Sequence, residues 1–243
     1  MSVDVIGIGA DGLDGLTPEV RARLDAAEVI VGGARHLGFV DDHAATKIAW
    51  KRPLEVTFEE IAGHLDRNVV VLSSGDPLDH GVARRLIERY GHAHVAVHPH
   101  PSAFALACAR LGWSREQVVC LSLHGRPLAR LKRELVPGRR LLLLTDAKSS
   151  ACAIAAALRE TGWGPSQMWR LSRLGAHDEI LAEGVAAEWT DPTLTELDTV
   201  AVACVPDQVQ RPIAGFALPD DAFHHDGQLS KAQARMHALF ALN

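Results

Sequence analysis

The sequence lacks long apolar runs and basic tracts. No stretch approaches 18 uninterrupted apolar residues, so we expect no membrane-spanning helix. The first residues carry no basic segment ahead of the apolar ones, which argues against a signal peptide. Formal charge is −5 and no run of Lys or Arg exceeds three residues, so the composition gives no support for nucleic-acid binding. These absences favour a cytoplasmic protein with neither a membrane nor a nucleic-acid partner.

Paired cysteines are also absent. The four cysteines are far apart and form no Cys-x-x-Cys pair: Cys108, Cys120, Cys152 and Cys204. Such dispersed thiols are typical of reduced, mostly buried side chains in a cytoplasmic protein. Apolar residues, in contrast, are plentiful, since 47% of the 243 residues are hydrophobic. That content is enough to bury the core of one large domain or of two modest ones.

Apolar, strand-like segments alternate with amphipathic, helix-like segments along most of the chain. Val69–Leu72 has the pattern of a buried strand, and the four leucines of Leu141–Leu144 suit a strand covered on both faces. Thr57 and Glu60 have the spacing of a capping box and predict the start of a helix. Alternation of this kind predicts an α/β fold.

The expected organisation is two α/β domains followed by a tail. A helix ending near Trp113 marks the boundary between residues 1–113 and 114–206, and a last strand is expected over Thr199–Val205. Beyond Pro206 the sequence becomes richer in Pro and Asp, which predicts a linker and then a helix over Ser230–Leu242. The tail therefore covers residues 207–243.

A Gly-x-Gly-x-x-Gly pattern, Gly7 to Gly12, follows the first apolar strand. This pattern occurs in dinucleotide-binding folds, where the third glycine opens a helix. Here the helix is predicted to start at Thr17, with Pro18 at its first position. The second strand ends in Gly32-Gly33 and not in an acidic residue. A plain glycine turn is therefore favoured over a nicotinamide site, although an oxidoreductase stays among the alternatives.

A second turn, Gly75-Asp76-Pro77, joins the strand ending at Ser74 to a helix predicted over Asp79–Tyr90. Open α/β sheets bind small ligands at the carboxyl ends of their strands. Asp-Pro is also ordinary turn chemistry. Taken alone, the turn is consistent with both explanations.

The histidines suggest little further chemistry. His92, His94, His98 and His100 alternate and would share one face of an extended strand, but no acidic or Cys residue joins them, so we expect no metal site. Ser122 and His124 lack a carboxylate partner and a nucleophile elbow, which argues against a hydrolase triad. Arg126, after Gly125, either binds a carboxylate or lies in a surface loop.

Taken together, the order and spacing of six segments resemble the tetrapyrrole methylase family, which transfers methyl groups from S-adenosylmethionine to corrin-pathway and sirohaem intermediates. The segments ARLGW and SLHGR point to the branch that methylates C5 of a precorrin-6 intermediate in cobalamin biosynthesis. The segments are Ile6–Thr17, Ser73–Gly81, His100–Trp113, Ser122–Arg126, Leu141–Lys148 and Arg173–Ile180.

The resemblance implies a two-domain tetrapyrrole methylase fold, with the methyl donor bound in the cleft between the domains. The implied donor-binding residues are Gly75, Asp76, Pro77, Leu78, Ser102, Ala103, Leu144, Thr145, Ala203 and Val205. The donor is expected to leave as S-adenosylhomocysteine.

The resemblance also suggests how the tetrapyrrole is bound. The candidate substrate-binding residues are Gly7, Gly9, Asp11, Gly12, Arg126, Lys148 and Arg173. No catalytic base is implied, although His124 or Asp11 could help to remove a proton. Family members are usually homodimers. The tail resembles the start of a second methyltransferase domain, which methylates C15 and decarboxylates the product in fused enzymes.

Three alternatives remain beside this interpretation. Another family member could act on uroporphyrinogen, diphthine or ribosomal RNA, and the acidic composition disfavours the RNA enzyme. A nicotinamide oxidoreductase would use Gly7 to Gly12. A non-catalytic protein could instead carry a corrin intermediate.

Overall fold

The computed structural model describes residues 3–195, 198–207 and 226–241, and it contains two five-stranded sheets. The α/β class expected from the alternating pattern is confirmed. Residues 208–225 of the predicted linker lie outside the described residues. No helix within the described ranges is long and apolar enough to cross a membrane.

The first sheet is parallel throughout, with strand order β3-β2-β4-β1-β5. Its strands are β1 (Val3–Ile8), β2 (Val29–Gly32), β3 (Thr46–Ala49), β4 (Val69–Ser74) and β5 (Val95–His98). The helices that accompany it are α1 (Pro18–Asp25), α2 (Ala34–Gly38), α3 (Leu54–Ala62) and α4 (Ala83–Tyr90). Because all strands run the same way, their carboxyl ends meet at one edge.

The second sheet is mixed, with order β6-β7-β10-β8-β9. Its strands are β6 (Val118–Ser122), β7 (Arg140–Leu144), β8 (Gln167–Ser172), β9 (Ile180–Val185) and β10 (Asp198–Ala203). Strand β6 runs parallel to β7, whereas β10 runs antiparallel to both of its neighbours. The remaining helices are α5 (Ala103–Leu111), α6 (Ala151–Glu160) and α7 (Ala232–Ala241).

Helix α5 joins the two halves of the molecule. It follows the first sheet in the chain, but Phe104 and Ala107 are buried against Leu142 and Ala201 of the second sheet. Its ends are well defined, because Ser102 caps the N-terminus and Gly112 adopts a left-handed conformation at the C-terminus. By its packing, α5 lies against the second sheet, and the domain boundary at residue 113 stays a prediction.

Two expected helix starts are wrong. Helix α3 begins at Leu54 instead of Thr57, and the Thr57 hydroxyl accepts a hydrogen bond from the Lys51 N–H at 2.9 Å from within the helix. Helix α4 begins at Ala83 instead of Asp79, because residues 79–82 form a turn in which His80 has a φ of 62°. Both corrections move a polar residue away from a helix N-terminus.

The histidine pattern also has a different structure from the one expected. His92 and His94 lie in a short 3-10 turn, so the four histidines do not share the face of one strand. His98 contacts the Asp4 carboxylate at 2.6 Å, a partner outside the local sequence. The pattern therefore does not describe a single surface of the protein.

Candidate functional site

Three chain segments meet at the carboxyl edge of the first sheet. The Gly75 N–H donates to the Ile8 carbonyl at 3.0 Å, which joins the ends of β4 and β1. A Cβ atom at Gly7 would lie 2.1 Å from the Gly75 carbonyl oxygen and 2.6 Å from the His100 nitrogen. Gly7 therefore permits close contact between three backbones, and this packing explains why a glycine is needed there.

The Gly75-Asp76-Pro77 turn lies directly after this contact. Gly75 has a φ of 57°, and the Asp76 carboxylate accepts a hydrogen bond from the Leu78 N–H at 2.8 Å. Pro77 is buried, whereas Leu78 is 56% exposed. A Cβ at Gly75 would lie 3.2 Å from the Ser102 Cα, so the turn packs against the start of α5.

A cavity of about 420 Å³ opens between the two sheets beside this turn. Its volume falls within the range of pockets that hold small ligands. On the first-sheet side it is lined by Ile8, Gly9, Ala10, Arg35, Ser73, Ser74, Gly75, Asp76, Asp79, His80 and Gly81. Its remaining lining residues are Pro101, Ser102, Ala103, Phe104, Leu106, Ser122, His124, Leu144, Thr145, Leu174, Asp198 and Thr199.

Strand direction decides which residues of the second sheet reach the cavity. The parallel strands β6 and β7 reach the cavity with their carboxyl ends. The antiparallel strand β10 reaches it with its amino end, which consists of Asp198 and Thr199. The Thr145 hydroxyl donates to the Asp198 carbonyl at 2.8 Å and ties these strands together. Ala203 lies four residues further along β10, about 14 Å away by strand rise. Ala203 and Val205 are not among the residues that line the cavity, and their place beside the donor stays a prediction.

The SLHGR loop contributes His124 to the cavity lining and leaves Arg126 exposed outside it. The Asp146 carboxylate accepts a hydrogen bond from the Gly125 N–H at 2.7 Å and fixes this loop. That bond, followed by one from the Ser149 hydroxyl, lowers the pKa of Asp146 to about 2. His124 Nδ1 lies 3.4 Å from the Thr145 carbonyl.

Most expected substrate-binding residues lie outside the cavity lining. Gly9 lines it, but Gly7 packs against Gly75 and Gly12 faces the ring of Phe39. Asp11 packs between Gly9 and Gly15. Because α1 begins at Pro18, well after Gly12, the dinucleotide pattern is a packing feature in this fold.

The expected cations outside this glycine segment are also distant from the cavity lining. Lys148 is exposed, and Arg173 pairs with Asp178 at 2.9 Å on the surface. Together with Arg126, they give no charge to the walls of the cavity.

Several lining residues were not expected from the sequence. Arg35 follows β2, and its Nη2 atom lies 2.9 Å from His36 Nε2 and 3.1 Å from the Ser74 hydroxyl. His80 holds a φ of 62° and contacts the Phe104 ring edge-on at 5.9 Å. A left-handed conformation in a residue other than glycine is often found at functional sites. Arg35 carries no motif, so the strand order brings it to the cavity. His80 lies within the Ser73–Gly81 segment, shortly after the Gly75-Asp76-Pro77 turn.

The sequence model of Tetrapyrrole (Corrin/Porphyrin) Methylases matches residues 2–190. The chain belongs to the tetrapyrrole methylase family. It is 37% identical, over 98% of its length, to the precorrin-6Y C(5,15)-methyltransferase [decarboxylating] of Sinorhizobium sp, and it spans 58% of that protein. The cobalt-precorrin-7 C(5)-methyltransferase of Salmonella typhimurium is 31% identical over 66% of this chain and 79% of its own.

Solved structures share the family fold. The uroporphyrin-III C-methyltransferase of Thermus thermophilus, solved with S-adenosylhomocysteine, has a TM-score of 0.64 and 19% identity. The match covers 84% of this chain and 97% of that one. This likeness supports the fold inferred from the sequence.

Proposed function

We propose that this chain transfers a methyl group from S-adenosylmethionine to C5 of a precorrin-6 intermediate in cobalamin biosynthesis. The observation that carries the proposal is the Gly75-Asp76 turn, packed on the capped start of α5 at an inter-sheet cavity. Relatives named for C5 methylation of corrin precursors support the substrate class. The chain spans 58% of the Sinorhizobium relative.

The cavity fits a methyl donor. Its rim offers close backbone from Gly75, a carboxylate from Asp76 and the first residues of α5, Ser102 and Ala103. We assign the methionine portion to these residues and the adenosine to Leu144 and Thr145. Pro77 and Leu78 then shape the turn from outside the cavity. Bound S-adenosylmethionine would supply an electrophilic methyl group.

The residues around the cavity have an orienting role in the proposed reaction. The ring carbon at C5 belongs to an electron-rich conjugated system, so it needs no strong base for attack. Holding two reactants in line supplies roughly 7–11 kcal/mol of a barrier. Of the two candidates for removing the displaced ring proton, His124 lines the cavity and Asp11 does not. We therefore assign that minor role to His124.

The first prediction concerns the turn. Asp76→Ala removes the carboxylate at the cavity rim and its hydrogen bond to the Leu78 N–H. We expect at least about tenfold weaker binding of S-adenosylhomocysteine, measured by calorimetry, since charge-assisted hydrogen bonds contribute about 1.5–3 kcal/mol. Asp25→Ala, on the exposed side of α1, is the matched control. Equal donor affinity in the two variants would contradict the assignment of this turn.

Activity is tested directly by incubating the protein with a precorrin-6 substrate and labelled donor. Mapping the product by NMR should place the label on C5. Label at another ring carbon would correct the regiochemistry, and an unlabelled tetrapyrrole would favour a carrier protein. Binding of NADH would instead support the oxidoreductase.

The proposal also includes a cytoplasmic homodimer, as the family resemblance suggests. Sedimentation equilibrium should then give twice the chain mass of 26.2 kDa. Methylation of C15 and decarboxylation would belong to a second domain, which the tail resembles.

A further inference from the structure

A basic corner, formed by Arg35, His36 and Ser74, lies at the rim of the cavity. Arg35 and His36 occupy the first turn of α2, directly after β2, and Ser74 ends β4. Strands β2 and β4 are neighbours in a parallel sheet, so their carboxyl ends bring these residues together. The guanidinium Nη2 lies 2.9 Å from His36 Nε2 and 3.1 Å from the Ser74 hydroxyl.

His36 serves as the acceptor in this corner. Only 8% of its surface is exposed, and burial, followed by the charge of Arg35, lowers its pKa to about 4. The ring is therefore neutral near pH 7. An arginine has only donors, so Nε2 accepts and Nδ1 carries the proton. His36 thus orients the guanidinium without adding a second charge.

Arg35 gives the cavity a local positive charge. Among the described residues that line the cavity, it is the one Lys or Arg, while Asp76, Asp79 and Asp198 supply carboxylates. Asp198 accepts from Ser172 at 2.5 Å and from the Thr195 N–H at 2.9 Å, so it is engaged within the protein. Within this lining, Arg35 is therefore the guanidinium that an entering carboxylate meets, beside walls that carry carboxylates.

We propose that Arg35 binds a carboxylate of the tetrapyrrole and that His36 is its positioning residue. This inference rests on the proposed function, because corrin precursors carry acetate and propionate side chains. A planar guanidinium fork matches a carboxylate geometrically and forms strong, directional hydrogen bonds with it. The methionine carboxylate of the donor has the same chemistry, so the experiment must separate the two sources.

The test measures binding of each ligand separately. Calorimetry gives the affinity of the protein for S-adenosylhomocysteine. Quenching of tryptophan fluorescence then gives the affinity for precorrin-6 of the protein saturated with S-adenosylhomocysteine. In Arg35→Gln we expect about 10- to 100-fold weaker tetrapyrrole binding, as for loss of a hydrogen bond to a charged group. Donor affinity should stay within about twofold. Arg84→Gln, on the exposed side of α4, should bind both ligands as the wild type does.

Arg35→Lys and an esterified ligand provide a second readout. Lysine keeps the positive charge but lacks the two parallel N–H donors of the guanidinium, so we expect a tetrapyrrole affinity between those of wild type and Arg35→Gln. Wild type should bind the tetrapyrrole as the free acid more tightly than as its methyl ester, and Arg35→Gln should lose that preference. Melting temperatures of all variants show whether each one is folded. A folded Arg35→Lys keeps the test decisive if Arg35→Gln does not fold.

The positioning role of His36 needs its own pair of variants. His36→Asn keeps a hydrogen-bond acceptor and should retain tetrapyrrole affinity, whereas His36→Leu should weaken it. A purely structural role would lower the melting temperature without separating the tetrapyrrole affinities of the two variants.

Two results would overturn the inference. Unchanged tetrapyrrole affinity in a folded Arg35→Gln removes Arg35 from substrate binding. A loss confined to donor binding assigns the corner to the methionine carboxylate.

Wild type that binds the tetrapyrrole but transfers no label contradicts the proposed function alone, and Arg35→Gln still tests the inference. Wild type that binds no tetrapyrrole contradicts both.

Discussion

At the scale of single residues, Gly7 shows how one hydrogen atom in place of a side chain shapes the cavity. Gly7→Ala would place a Cβ 2.1 Å from the Gly75 carbonyl oxygen, a backbone atom that cannot move alone. We expect a lower melting temperature and at least about tenfold weaker S-adenosylhomocysteine binding, since the donor turn must shift. Gly38→Ala, with no atom within 4 Å of the added carbon, is the control. Wild-type donor affinity in Gly7→Ala would show that the turn tolerates displacement.

His36 predicts a pH dependence of stability. Its pKa is about 4 in the folded protein and 6.5 in the unfolded chain, so acid protonates the unfolded chain first. The free energy of unfolding should fall between pH 6.5 and pH 4 by up to about 3 kcal/mol from this group, and stay level above pH 7. Urea denaturation at several pH values measures the free energy of unfolding of wild type and of His36→Asn. His92→Asn, at an exposed position, is the control. Parallel pH curves for wild type and His36→Asn would refute it.

At the scale of secondary structure, the end of α5 depends on one backbone conformation. Gly112 has a φ of 63°, and no atom lies within 4 Å of a Cβ added there, so Gly112→Ala adds backbone strain without a clash. We expect a loss of about 1 kcal/mol in the free energy of unfolding. The same change at Gly38, whose φ is not positive, should be neutral or stabilise by about 0.4–1 kcal/mol. Urea denaturation measures the free energy of unfolding of both variants. Equal effects of the two substitutions would contradict the explanation by the left-handed conformation of Gly112.

Elements with strong local patterns could be predicted from the sequence. The apolar segments at β4 and β7 are buried strands, and Thr17 caps α1 with Pro18 at its first position. Strand β3 escaped prediction because its four residues are half-exposed and lack an apolar pattern. The start of α4 was predicted wrongly although Gly81 marks the turn, since a Cβ there would lie 2.4 Å from the Pro77 carbonyl oxygen. Local chemistry thus accounts for the elements better than for their ends.

At the scale of the whole molecule, both sheets line the cavity, so we expect ligand binding to stabilise them together. Saturation with S-adenosylhomocysteine at 100 times its dissociation constant stabilises the folded state by about 2.7 kcal/mol. For a chain of this size we expect a rise in melting temperature of about 5–10 °C. The transition should remain single, because both sheets line the cavity. At the same ligand concentration, tenfold weaker binding in Asp76→Ala should leave about half of this shift. Two transitions of which only one moves would show that the sheets unfold independently.

The composition of the site could be predicted only where a motif is local. The Gly75-Asp76 turn and Ser102-Ala103 line the cavity as their motifs suggested. Arg35 could not be predicted, since its place depends on β2 lying beside β4. Ala203 lies outside the cavity lining, because β10 runs antiparallel to β7 and its apolar sequence does not indicate that direction. Strand order and direction are properties of tertiary packing, and a single sequence carries little information about them.

The reversed direction of β10 has a practical consequence for handling the protein. Because β10 starts at the cavity and ends at Ala203, the chain leaves the sheet on the side remote from the cavity. A dye, affinity tag or surface tether attached shortly after that strand therefore starts far from the entrance. Immobilised protein tethered there should retain the donor affinity of the free protein, which makes this end suitable for sensor surfaces.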